Sequence, residues 1–160
     1  MAHSRASAAF LTAWAVLLVC PALSWTAPLA ITIVDASVTL SPNQTDYETG
    51  YVEATGMGGI RVRVSTDNAA GLILYVRCDD VSPEIPLSDL LVKCATAGTL
   101  MASYTAITGA DQALWSTGGT TTNENVDTDV RIQNLWNLSD AAGGGTTPYT
   151  NTLTYTVVDQ

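Results

Sequence analysis

Tyr149-Thr150-Asn151-Thr152-Leu153-Thr154-Tyr155-Thr156-Val157-Val158 sets threonine against larger apolar residues at nearly every step. Side chains two apart share one face of an extended chain. Tyr149, Leu153, Tyr155 and Val157 therefore fall on one face and Thr150, Thr152, Thr154 and Thr156 on the other, which is the pattern of a half-buried strand. Gly143-Gly144-Gly145 stands just ahead and can supply the positive φ angles of a turn. Upstream, Val126, Val130 and Ile132 alternate with Asp127, Asp129 and Arg131. Strand, glycine turn and strand read as a hairpin, with the earlier strands packed around it.

Working outward, residues 59–66 make another strand, with Ile60, Val62 and Val64 inward and Arg61, Arg63 and Ser65 toward water. Asp67 to Gly71 turns the chain and residues 72–76 carry the return, a second expected hairpin. Residues 28–40 read as a first strand whose phase breaks near Asp35, as a bulge or a switch between sheets would cause. Residues 45–56 are polar and predict a loop or weak edge strand. Residues 87–92 are ambiguous: Leu87, Leu90 and Leu91 stand at helical spacing, which admits a single short helical turn capped by Ser88. Residues 101–107 and 112–116 predict strands, Trp115 being a core candidate, and residues 117–128 predict a surface loop. Short strands divided by turn signals, with no helix of ordinary length, predict an all-β fold: one antiparallel two-sheet β-sandwich of Ig-like type, a small β-barrel being the alternative.

The N-terminus has a different composition. A basic start with Arg5 is followed by an apolar run from Ala8 to Cys20, shorter than the ~20 residues that span a bilayer. This reads as a secretory signal peptide over residues 1–24, or to 27, leaving one domain over 25–160. An uncleaved anchor, or a lipoprotein cut before Cys20, are the other readings. Cleavage implies a secreted or cell-surface protein without a stable membrane span. It also removes the only histidine, His3, and the only phenylalanine, Phe10. Because Arg5 leaves too, six basic residues become five against fifteen acids, and the net charge moves from −9 to −10. That balance repels phosphate backbones and argues against nucleic-acid binding.

Cys78 and Cys94 remain. In an oxidising compartment they are expected to pair as a disulfide worth roughly 3 kcal/mol, the other reading being two free buried thiols. Without histidine, triad hydrolysis is excluded, and a zinc site lacks ligands. The loop acids Asp79, Asp80, Glu84 and Asp89 leave a carboxylate pair for sugar cleavage formally open. Asn125, Asp127 and Asp129 place oxygens at alternate positions, as a weak calcium site would, and no other cofactor is expected. Tyr47, Tyr51 and Trp136 are candidate carbohydrate contacts. Asn43 and Asn137 head the acceptor pattern for N-linked glycans.

The run Thr147 to Val157 resembles the closing strand of bacterial secreted β-sandwich families, the WxL cell-wall-associated domains and the spore-coat U type of fimbrial subunit. Trp136-Asn137-Leu138 also spells Trp-x-Leu. The likeness covers the last quarter of the chain and implies a bacterial surface sandwich. The chain stops right after this strand, with no sorting motif, so a non-covalent attachment is expected. The function expected from all this is a non-enzymatic structural or adhesive subunit that self-associates or joins other surface proteins. An edge strand such as residues 30–40 would add to a neighbour's sheet. A carbohydrate- or calcium-dependent binding module is the alternative.

Overall fold

The computed structural model describes residues 28–136 and 149–160. Among these residues nine strands form two antiparallel sheets: β1 (Ala30–Asp35), β2 (Tyr51–Ala54), β3 (Ile60–Thr66), β4 (Leu72–Cys78), β5 (Leu90–Cys94), β6 (Thr105–Ala106), β7 (Gln112–Thr117), β8 (Thr121–Gln133) and β9 (Leu153–Asp159). The larger sheet runs β1-β3-β8-β5-β6, with β2 on the far half of β8, and the smaller runs β7-β4-β9. This is the expected all-β two-sheet sandwich, and the sheets do not close into a barrel.

The period of two assigns the faces. Val62 and Val64 of β3, Val126 of β8, Leu72, Leu74 and Val76 of β4 and Val92 of β5 all reach zero exposure between the sheets. Trp115 is buried as expected and donates its indole N–H to the Ala97 carbonyl at 2.6 Å. Leu114 beside it is buried too, because the β4–β7 register shifts between Leu74 and Tyr75 and the bulge turns both residues inward. The phase break of the first strand is also present, as a register shift between Ile33 and Asp35.

Both expected hairpins are overturned. β8 pairs with β3, β2 and β5, whereas β9 pairs with β4 in the other sheet. Likewise β3 and β4 lie in different sheets, so the turn at 67–71 carries the chain across the sandwich. Alternation shows which face a residue occupies but says nothing about which strand lies beside it. The glycine turn at 143–145 lies outside the described residues.

Three local readings also change. Within residues 45–56 there is a short helix, α1 (Gln44–Thr49), before β2. Asn43 and Asp46 form a reciprocal capping box at its start, and Gly50 closes it at φ 83°. Of residues 101–107 only the two of β6 are strand. Residues 121–128 are not a loop, since β8 begins at Thr121. Residues 87–89 form a turn, and β5 starts at Leu90.

The disulfide is a further correction: Cys78 and Cys94 are both free and buried. Cys78 N–H donates to Thr108 O and Ile107 N–H to Leu90 O, which puts Cys78 near the Leu90 end of β5. Cys94 is at the other end, four residues or roughly 13 Å along the strand, while disulfide Cα atoms lie within about 7 Å. Burial raises both thiols above their ordinary pKa, which suits unreactive core side chains.

Candidate functional site: an apolar cleft between two sheet edges

The sheets are unequal, and the smaller does not cover the larger. Where β9 has not yet begun, a cavity of about 800 Å³ opens between them. Val52, Ile60, Leu90, Val130 and Ile132 of the larger sheet form its floor. One lip is the run 36–40 that follows β1, and the other is residues 149–153 leading into β9. No described lining residue is charged. Among the described residues both flanking strands are sheet edges, β1 beside β3 alone and β9 beside β4 alone. Residues 36–40 hydrogen-bond to no other described residue. Their N–H and C=O groups therefore stand as an unused ladder along an apolar trough.

The second lip is held by the acidic loop. Glu84 accepts from Thr150 N–H and Asp80 from Thr152 N–H. Asn151 exchanges two 2.9 Å hydrogen bonds with the Ile85 backbone. Asp79 takes the Thr154 hydroxyl and pairs with Arg77, whose guanidinium holds the Asp79 carboxyl below its usual range. Asp89 is buried and accepts the Asn134 amide at 2.6 Å. Asp79, Asp80 and Glu84 thus act as acceptors that fix β9 and its approach, while Asp89 holds the end of β8. Period alone could not reveal this, because the partners lie some seventy residues away in the chain.

The calcium candidates share the outer face of β8, each opposite a polar or cationic residue in register. Asp127 faces and pairs with Arg61 at 2.6 Å, Asn125 accepts from Arg63 at 3.2 Å, and Asp129 pairs with Lys93 at 3.2 Å. Arg131 pairs with Glu53 at 2.6 Å, which keeps the Glu53 carboxyl below its usual range. Alternate oxygens here are one half of a cross-strand charge ladder. Among the described residues no three His, Cys, Asp or Glu side chains come together to hold a metal.

The aromatic candidates separate. Tyr47 and Trp136 meet with centroids 5.3 Å apart and planes tilted by 55°. Tyr51 lies on the outer face instead, where Arg131 sits 4.1 Å from its ring and 3.8 Å from that of Tyr104. Asn43 Oδ1 accepts the N–H groups of Thr45 and Asp46 as the helix cap. Asn137 lies outside the described residues.

At the inner end of the cleft, Tyr155 and Thr128 come close from opposite sheets without closing a hydrogen bond, and both hydroxyls are buried and unpartnered. Burial pushes the Tyr155 phenol from its ordinary value of about 10 to about 12. A phenol raised in the folded state contributes stability below the unfolded value and loses it as pH rises toward the folded one. Stability should thus fall between about pH 10 and about pH 12, by on the order of 2 kcal/mol from this group. Tyr155→Phe should flatten that decline and be neutral or mildly stabilising at pH 7, since it removes an unsatisfied hydroxyl. Urea midpoints across the alkaline range measure both effects. An unchanged alkaline slope would show that Tyr155 does not set it.

No family model matches the chain, and neither a curated protein nor a solved structure matches it significantly. The fold and the cleft must therefore carry the functional reading themselves. Among the described residues no helix is long and apolar enough to cross a membrane.

Proposed function

We propose that this protein is a secreted or cell-surface structural or adhesive subunit, non-enzymatic, which assembles by adding a strand from a neighbour to its own sheet. The observation that carries the reading is the apolar cleft that the described residues leave uncovered, flanked by the unbonded run 36–40. An incoming extended segment with alternate apolar residues would place them on Val130 and Ile132. It would take up main-chain partners along the lip. Exposed Ile33 and Val34 on β1 extend the same apolar edge. The donor is a second copy or another surface protein, and the leader-like start of the chain supports export before assembly.

Light scattering after size-exclusion chromatography, with negative-stain microscopy, tests this reading. Species larger than one chain are expected to grow with concentration. Val38→Glu places a charge in the half-buried lip outside every ladder, so it should abolish assembly while circular dichroism stays unchanged. A single-chain mass at every concentration, or assembly that ignores Val38→Glu, would sink the proposal.

A further inference from the structure

A second site lies beyond the mouth of the cleft, where α1 meets the end of β8. Trp136 remains 64 % exposed although its position is fixed, because its indole N–H donates to the Tyr47 carbonyl at 3.1 Å and its ring leans on that of Tyr47. Glu48 completes the pocket, together with Pro42, Asn43 and Gln44. We infer that this pocket binds an organic cation, a quaternary ammonium group being the best-matched chemistry.

Charge is the first reason. The five basic side chains of the described residues are all engaged on the sheets: Arg61 with Asp127, Arg63 with Asn125, Arg77 with Asp79 and Asp111, Lys93 with Asp129, Arg131 with Glu53. None reaches Glu48, and α1 has no basic residue in its last turn. A carboxylate beside two π faces attracts a cation through both its charge and the ring quadrupoles. Geometry is the second reason. Planes tilted by 55° make a corner, which suits a compact, rounded group better than a flat sugar ring. Hydrogen bonding is the third. The Gln44 amide is bound to Glu48 Oε1 at 3.0 Å and Asn43 Oδ1 serves the helix cap, so few groups remain to read sugar hydroxyls. An ammonium bearing methyl groups needs no such partners. The two sites share Pro42 and Tyr47, but Trp136 and Glu48 lie outside the cleft, so changes at those two residues test this inference apart from assembly.

Tryptophan fluorescence of the full chain, titrated with choline, provides the test. A saturable change is expected, lost in Trp136→Ala and weakened about threefold or more in Glu48→Gln. The neutral isostere of choline, with carbon in place of nitrogen, should bind at least about fivefold more weakly. Equal binding of the isostere would reduce the site to an apolar patch and overturn the inference. So would an unaffected Glu48→Gln variant, a saturable response to a neutral disaccharide in place of choline, or no saturable response at all.

Discussion

Replacing Gly71 by alanine is expected to cost about 3 kcal/mol or more, one of the two largest single effects in the molecule. Gly71 has φ 93°, a conformation that side-chain-bearing residues rarely adopt. A Cβ there would run into the Thr117 carbonyl oxygen, with the Thr117 carbonyl carbon at 2.6 Å and Gly119 N at 2.9 Å. All three are backbone atoms, so no rotamer change relieves the clash. The site is also a junction: Gly71 N–H donates to Asn68 O, and Gly71 O accepts from Gln160 N, both at 3.0 Å. A shift here would disturb the crossing between sheets, the end of β7 and the last residue together. Urea denaturation should show a lower midpoint with the slope unchanged. Gly118→Ala, where a Cβ meets nothing within 4 Å, is the control and should change stability little.

Trp115→Ala should be comparably severe, at roughly 3–5 kcal/mol. It empties the largest aromatic volume of the described core and strands the Ala97 carbonyl that accepts the indole N–H. It also loosens the 95–101 segment, since the indole that this segment packs beside, and that bonds Ala97, is gone while only the backbone bridge between Thr99 and Trp115 remains. Trp115→Phe keeps most of the packing and loses the hydrogen bond, so it should fall between the two. Thermal and urea unfolding of the three proteins would rank them. A mild Trp115→Ala would show that the core relaxes into the space.

What the sequence discloses here is facing. The inward sets of β3, β8 and β9 and the core place of Trp115 follow from period two and residue size, and the β class with them. Pairing does not follow. Asp67 to Gly71 has turn chemistry whether it joins neighbours in one sheet or bridges two. Thr121 to Asn125 looks like a loop by composition, yet its threonines cover the outer end of a thirteen-residue strand. α1 did leave a readable trace, Asn43 ahead of it, Asp46 in its first turn and Gly50 behind, but its six residues carry no buried side chain and hence no apolar stripe. The cleft is assembled from β1, β2, β3, β5, β8 and the approach to β9, so no single stretch announces it. Cys78 and Cys94 mislead for the same reason: sequence separation permitted a bridge that the strand geometry forbids.

Because successive strands so often change sheets, β4 waits for β7 and finally for β9, the last seven-residue strand, before its own hydrogen bonds are complete. The loops that must close to bring β7 and β9 onto β4 are long, so cooperative folding is slow: each pairing joins residues far apart in the chain.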